Sequence, residues 1–346
     1  MEKTLMHRQM LIDTASELVA DDKGLLAIDE SITTCNKRFA ALAIPQTEAA
    51  RHDYRELIVT TPGLAESISG LILCDETIRE SRDDGTPFVK LIVEAGIIPG
   101  IKVDIGAKGM AGHPQEKITE GLDGLRERLT DYVQMGARFA KWRAVLTVSD
   151  NLPSRGCVEA NAHALARYAA LCQEAGLMPI VEPEVMMAGG HSLERCREVT
   201  EEVLHTVFNQ LYRQGILLEG MILKPNMLLP GLACPQQATL HDVADATLSC
   251  LLRAVPAAVP GIMFLSGGQA AGLASARLNA MNVRYKSQLP WALSFSFCRA
   301  IQQPALAAWL GKKDKVVAAQ NILYHRAKCN RDARKGQFTD KSEKDC

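Results

Sequence analysis

Short apolar runs alternate along the chain with longer amphipathic stretches. The runs are LLAID at 25–29, GLILCDE at 70–76, IPGIKVD at 98–104, FAKWRAVL at 139–146, MPIVEPEV at 178–185, GMILKPN at 220–226, GIMFLSGG at 261–268 and WALSFSF at 291–297. Between them lie segments with apolar residues three and four apart, such as LDGLRERLTDYVQMG, NAHALARYAALCQEAG and LERCREVTEEVLHTVFNQLYRQG. Each of these closes on Gly, the residue that most readily takes the left-handed turn at a helix end. A run that is apolar on both faces suits a parallel strand covered on both sides. Eight such strands with seven clear intervening helices predict a closed (β/α)8 TIM barrel of the α/β class, an open doubly wound sheet being the alternative that strand counting leaves standing. The first residues, MEKTLMHRQMLIDTASELVADDKG, read as an amphipathic helix without the apolar core of a secretion signal. No Ser/Gly-rich or Pro-rich linker and no charge block divides the chain. Residues 1–346 are therefore expected to form one domain, a barrel over about 24–310 with additional N-terminal and C-terminal helices. Residues 311–346 hold 10 Lys and Arg against 5 acids, which predicts a solvated helix and a loose tail.

Composition narrows the function classes. The 346 residues are 47% apolar and 23% charged, enough for a large core and unlike a disordered chain. With 39 Lys and Arg against 40 Asp and Glu, no overall field draws the chain to nucleic acid or to an anionic membrane. No apolar run approaches the ~18 residues of a membrane span, and a cytoplasmic protein is expected. Ten cysteines, at 35, 74, 157, 172, 196, 234, 250, 298, 329 and 346, show no C-x-x-C pair and are predicted to be core thiols. His and Cys nowhere fall at metal-ligand spacing, so no metal and no cofactor is expected.

Nearly every run carries an ionisable or hydroxyl residue toward its C-terminal end. In order these are Asp29; Asp75 or Glu76; Lys102 and Asp104; Lys141 and Arg143; Glu182 and Glu184; Lys224; Ser266; and Ser296, with Arg299 just beyond. In a barrel those ends form one mouth, where the active sites of this fold lie. Residues two apart on a strand project to one side. An unpaired buried charge costs on the order of several kcal/mol, so the plain alternative to a reactive site is an internal salt-bridge layer. Two or three lysines and an arginine crowded together lower a lysine's pKa, and a neutral amine is the nucleophile that forms a Schiff base with a carbonyl. Lys224, in GMILKPN, has the most desolvated context and is the candidate, although a lone apolar-flanked lysine is ordinarily a snorkelling or capping residue. Facing carboxylates supply a general acid and base. LSGGQ offers small residues whose backbone N–H groups suit a phosphate, and Arg299 follows the next strand.

Taken together these stretches resemble the class I, Schiff-base fructose-bisphosphate aldolases. GLLAIDES, GIKVD, EGLDGL, ARFAKWRAVL, PIVEPEV, LEGMILKPNM, PAAVPGIMFLSGGQ and WALSFSFCRA follow one another in that family's order over about 24–310. ITTCNKR and PGLAESISG look closer to the bacterial and plastid branch, and with no transit peptide ahead of the first helix a bacterial source is expected. The resemblance implies a (β/α)8 barrel and a carbon–carbon lyase (an aldehyde-lyase) of glycolysis and gluconeogenesis, or of the Calvin cycle. Such an enzyme reversibly cleaves fructose 1,6-bisphosphate to dihydroxyacetone phosphate and glyceraldehyde 3-phosphate.

By motif, the resemblance implies Lys224 as the Schiff-base lysine and Glu182 as general acid and base, with Glu184 supporting it. Asp29 would deprotonate the hydroxyl during cleavage, while Lys141 and Arg143 position the substrate and tune the amine. Ser266, Gly267, Gly268, Ser296 and Arg299, aided by Arg38, would bind one phosphate. Ser31, Thr34 and Lys102 would approach the other. A homo-oligomer, commonly a tetramer, is implied by resemblance alone. Three departures from the family stand out: Ile32-Thr33-Thr34 after Ser31, Cys298 where a Gly or Ala is usual, and a tail, FTDKSEKDC, without the terminal tyrosine. A phosphosugar isomerase on the same barrel and a non-catalytic scaffold are the other readings. Preference among fructose 1,6-bisphosphate, sedoheptulose 1,7-bisphosphate and fructose 1-phosphate stays open.

Overall fold

The computed structural model describes residues 2–344. In chain order the strands are β1 (Gly24–Ala27), β2 (Ile68–Leu73), β3 (Ile98–Lys102), β4 (Gly106–Gly109), β5 (Lys117–Glu120), β6 (Phe139–Leu146), β7 (Met178–Val185), β8 (Ile222–Leu223), β9 (Gly261–Phe264) and β10 (Ala292–Phe297). All but β4 and β5 are parallel and close into an eight-stranded barrel, each pairing with the next and β10 returning to β1. The helices are α1 (Glu2–Val19), α2 (Ile32–Ala40), α3 (Glu48–Val59), α4 (Asp75–Ile78), α5 (Phe88–Glu94), α6 (Leu125–Gln134), α7 (Arg155–Ala175), α8 (Leu193–Arg213), α9 (Leu240–Ala254), α10 (Ala271–Tyr285), α11 (Arg299–Trp309), α12 (Val316–Lys335) and α13 (Asp340–Lys344). Every one of the eight apolar runs overlaps a barrel strand, so the expected (β/α)8 barrel with added helices is the fold, and the open sheet is not.

The barrel interior is built in two storeys by the period-two alternation of the strands. Below, Leu25 and Ala27 on β1, Ile72 on β2, Phe139 on β6, Met178 and Ile180 on β7, Ile222 on β8 and Met263 on β9 form one apolar cluster. Leu11, Ala15 and Leu18 of α1 join that cluster, so the N-terminal helix plugs the barrel floor and keeps water out from beneath. Two residues further along the same inward stripes come Asp29, Lys141, Glu182 and Lys224. The register aligns Lys141 with Ile180 and Arg143 with Glu182, which sets the β7 charge one step higher than the β6 charge. The bulky Phe139 fills the axis at the expense of β3: a Cβ on Gly100 would lie 2.2 Å from its ring, so only a bare Cα fits there. Outside the barrel, a second and larger apolar cluster lies between strands and helices.

Two features depart from the sequence reading. Segment 106–120, between β3 and β6, forms the antiparallel hairpin β4–β5, which folds against the mouth: Thr119 Oγ1 donates to the Arg143 carbonyl at 2.8 Å. The described part of the C-terminal region is packed along one face rather than loose. Leu323, Ala327 and Ala333 of α12 are buried together with Arg326, Asn330 and Arg334, and α13 is tied down by an ion pair between Glu343 and Arg326. These three polar residues of α12 point inward to partners, while Asn321 and Lys328 on the other face stay exposed. Asp345 and Cys346, the last two residues of the tail, lie outside the described residues. Cys35, Cys157, Cys172, Cys196, Cys250 and Cys329 are buried as expected, whereas Cys74, Cys234 and Cys298 are only partly so. Among the described residues, no helix is long and apolar enough to cross a membrane.

Candidate active site

Four of the inward charges form a continuous chain across the barrel mouth. Lys224, one residue beyond β8, is fixed by its backbone N–H to the Val181 carbonyl at 2.8 Å, and its Nζ lies 3.3 Å from Glu182 Oε1. The other oxygen of Glu182 lies 3.3 Å from Lys141 Nζ, which in turn sits 2.6 Å from Asp29 Oδ2. All four residues are buried. The signs alternate, so each charge faces its opposite and the layer as a whole is neutral, which offsets much of the desolvation cost.

This alternation corrects the expectation of a crowd of cations. Burial alone would push the Asp29 carboxyl up, but the ammonium groups of Lys141 and Lys224 outweigh it and hold Asp29 down at about 2. Glu182 is likewise held below its ordinary value against burial, by Lys141, Lys224 and Arg143. Burial works against the charge on Lys141, yet Asp29 and Glu182 hold its ammonium well above the usual lysine range. Lys141 is thus a fixed cation, Asp29 a fixed anion, and Glu182 sits between two amines with a carboxylate oxygen aimed at each. The salt-bridge layer and the reactive cluster are the same object.

A second tier rims this chain. Arg143 on β6 pairs with Glu184 on β7, and its backbone N–H donates to Asp104 Oδ2 at 3.2 Å. Lys102 Nζ lies 2.7 Å from Asp104 Oδ1. Ser31 and Thr34 occupy the first turn of α2, where the Ser31 Oγ accepts from the Thr34 N–H at 3.3 Å and donates to its hydroxyl at 3.1 Å. Both are exposed, and Ser31 caps α2. Asp75 and Glu76, by contrast, leave the mouth: Asp75 pairs with Arg79 and Glu76 with Arg51.

On the opposite side the Ser266–Gln269 turn follows β9, with positive φ of 59° at Gly267 and 106° at Gly268, a shape that favours glycine and presents successive backbone N–H groups. Arg299 opens α11 next to it, with Nη2 3.2 Å from where a Cβ of Gly268 would stand. The Ser296 hydroxyl is buried without a hydrogen-bond partner. Arg38, from α2, pairs with Glu30 and donates to Gln302 Oε1 at 3.3 Å, while its Nε and Nη2 are buried and unpartnered. Buried donors without acceptors beside a glycine turn suit an incoming anion.

Sequence reasoning missed the residues that hold Arg38. Glu30 Oε2 also lies 3.0 Å from Arg55 Nη1, and Tyr54 OH donates to Gln302 Oε1 at 2.8 Å. Glu30, adjacent to Asp29 in AIDES, was the available signal; Arg55 and Gln302 lie on α3 and α11 and had none. The Cys298 thiol donates to Glu30 Oε1 at 3.3 Å, so the bulk added at this position is absorbed into the Glu30–Arg38 cluster. Among the described residues, no group of three or more His, Cys, Asp and Glu could hold a metal ion.

A buried amine whose proton the next strand's carboxylate is placed to accept, at the mouth of a parallel barrel, is the equipment of enzymes that hold carbonyl substrates as imines. Comparison with known proteins agrees. The family described as fructose-bisphosphate aldolase class-I matches residues 10–346. A probable fructose-bisphosphate aldolase class 1 of Xanthomonas campestris is 53% identical over 96% of this chain and 99% of its own length. A cytosolic fructose-bisphosphate aldolase of Arabidopsis thaliana is 48% identical over 95% of this chain and 91% of its own. Among solved structures, fructose-bisphosphate aldolase from Plasmodium falciparum, crystallised with TRAP and a small-molecule inhibitor, superposes with a TM-score of 0.94 at 44% identity, covering 96% of both chains. The chain belongs to the class-I fructose-bisphosphate aldolase family. Its bacterial-like branch fits the Xanthomonas relative and a Xylella fastidiosa relative, also 53% identical.

Proposed function

We propose that this chain reversibly cleaves fructose 1,6-bisphosphate to dihydroxyacetone phosphate and glyceraldehyde 3-phosphate, with Lys224 as the Schiff-base amine. The observation that carries the reading is the buried chain Asp29–Lys141–Glu182–Lys224, in which every contact is an ion pair. Glu182 accepts a proton from Lys224, freeing the amine to attack the ketose carbonyl. The carbinolamine then loses its hydroxyl as water, protonated by Glu182, and an iminium forms. Asp29 takes the proton of the hydroxyl next to the scissile bond. The carbon–carbon bond breaks, its electron pair passes into the iminium, and glyceraldehyde 3-phosphate leaves an enamine behind. Protonation of that enamine and addition of water release dihydroxyacetone phosphate and return the amine. Lys141, held as a permanent cation, stabilises the alkoxide that develops beside Asp29.

The Ser266–Gly268 turn with Ser296, Arg299 and Arg38 takes one phosphate, and Ser31, Thr34 and Lys102 take the other. Arg143 and Glu184 hold the substrate between them. The family likeness over nearly the whole chain supports one aldolase-type domain over residues 1–346, a homo-oligomer, probed by sedimentation, and a cytoplasmic location. A coupled assay for triose phosphate release tests the reading. Release that persists in EDTA supports it, whereas ketose–aldose interconversion without cleavage would make the chain an isomerase and no turnover would make it a scaffold.

A further inference from the structure

Five arginines are buried among the described residues, and four of them face a carboxylate: Arg51 with Glu76, Arg55 with Glu30, Arg326 with Glu343 and Arg334 with Asp22. Arg277, on α10, is the exception. It is 6% exposed, its Nε is buried without a hydrogen-bond partner, and among the described residues its side chain's hydrogen bond goes to an uncharged group, Nη1 donating to Gln269 Oε1 at 2.8 Å. Burial alone lowers its pKa, with no described carboxylate contributing. A guanidinium stays charged even so, and a buried charge without a counter-ion is costly to keep.

Its single partner says where the missing charge belongs. Gln269 closes the glycine turn, its backbone N–H donating to the Ser266 carbonyl at 3.0 Å. Its carboxamide is buried and lies between Arg277 on one side and Met227 Sδ, 3.8 Å away, on the other. The residue that ends the turn is therefore gripped by the unpaired cation behind it.

We propose that Arg277 is a positioning residue of the phosphate subsite: it holds the Ser266–Gln269 turn in its binding shape through Gln269, and it places behind that turn a positive charge compensated by a bound phosphate dianion. This rests on the reading of the turn as a phosphate site. In a buried setting such a charge acts at longer range than it would in water, so Arg277 need not touch the ligand. The chemistry recognised is that of a phosphomonoester dianion, and inorganic phosphate serves as the probe.

The test replaces the cation by a side chain of similar length, Arg277→Met, and by a second cation, Arg277→Lys. Binding of inorganic phosphate is measured by calorimetry, alongside kcat and KM for fructose 1,6-bisphosphate and the unfolding midpoint. Loss of an uncompensated charge predicts a Met variant at least as stable as wild type that binds phosphate at least about fivefold more weakly. Its KM for the bisphosphate rises by a similar factor while kcat stays within about twofold. The Lys variant keeps phosphate affinity within about threefold of wild type. A stable Met variant that binds phosphate as wild type does overturns the proposal. If the Met variant does not fold, the Lys variant decides, a loss of about tenfold or more in phosphate affinity assigning Arg277 to packing rather than charge. Wild type that binds phosphate but never cleaves the bisphosphate would instead overturn the aldolase reading and leave this one standing.

Discussion

Lys224 Nζ lies 3.3 Å from Glu182 Oε1, across the pairing of β8 with β7, in the buried interior of the mouth. The two residues form the shortest route for a proton off the amine, and the same carboxylate is in place to return that proton to the carbinolamine hydroxyl. Glu182→Gln keeps the shape and removes the acid. Its kcat for cleavage is expected to fall by about 10²–10⁴-fold, with slower imine formation seen in single-turnover trapping. Cleavage within about threefold of wild type would remove Glu182 from the proton path.

Asp29 makes a prediction about acid stability. Its folded-state pKa of about 2 lies below the ordinary 3.8, so the folded protein binds fewer protons than the unfolded chain between those values. Stability from this group is then fully present above pH 3.8 and is lost as pH falls through about 2. The stability advantage of wild type over Asp29→Asn should shrink by about 2 kcal/mol between pH 5 and pH 2. Urea unfolding of both proteins across that range reads it, and a constant difference would show that Lys141 does not hold Asp29 ionised.

Arg299 beside Gly268 predicts a split between substrates. Arg299→Ala is expected to raise KM for the bisphosphate by about tenfold or more, because a charge-assisted contact to phosphate is lost. An unphosphorylated ketose should be cleaved with parameters within about twofold of wild type. Equal losses on both substrates would show that the residue supports the fold of the mouth instead.

The fold was legible because parallel barrel strands are apolar on both faces, and this holds from Leu25 to Phe297. The hairpin was not, since its strands GAKG and KITE are short, polar and half exposed, with no alternation to distinguish them from a loop. Nor was the packing of α12, whose buried face carries Arg326, Asn330 and Arg334, so that its polarity mimics a solvated helix. At the site, the residues on strand ends could be read because chain position puts them at one mouth. Arg55, Gln302 and Arg277 could not, because each acts from a helix through another side chain and only the three-dimensional packing reveals the partner.

The tail gives a prediction that separates stability from turnover. Deleting residues 339–346 leaves Arg326 without the Glu343 carboxylate while it still donates to Ser275 Oγ at 3.0 Å. Stability should fall by about 1–3 kcal/mol, the cost of removing one partner of a partly buried pair. Turnover should change by less than about tenfold, since the described tail packs on α10 and α12, has no phenol, and leaves enamine protonation to Glu182 or water. Loss of hydrogen exchange at the dihydroxyacetone phosphate carbon, with imine formation intact, would place that step in the tail.

Borohydride reduction in the presence of dihydroxyacetone phosphate, followed by peptide mass mapping, asks most directly whether Lys224 is the amine. The account predicts irreversible inactivation with one reduced adduct per chain, on the peptide containing Lys224, and no adduct in Lys224→Met. An adduct on Lys141 or Lys102 instead, or full activity after reduction with substrate present, would contradict it.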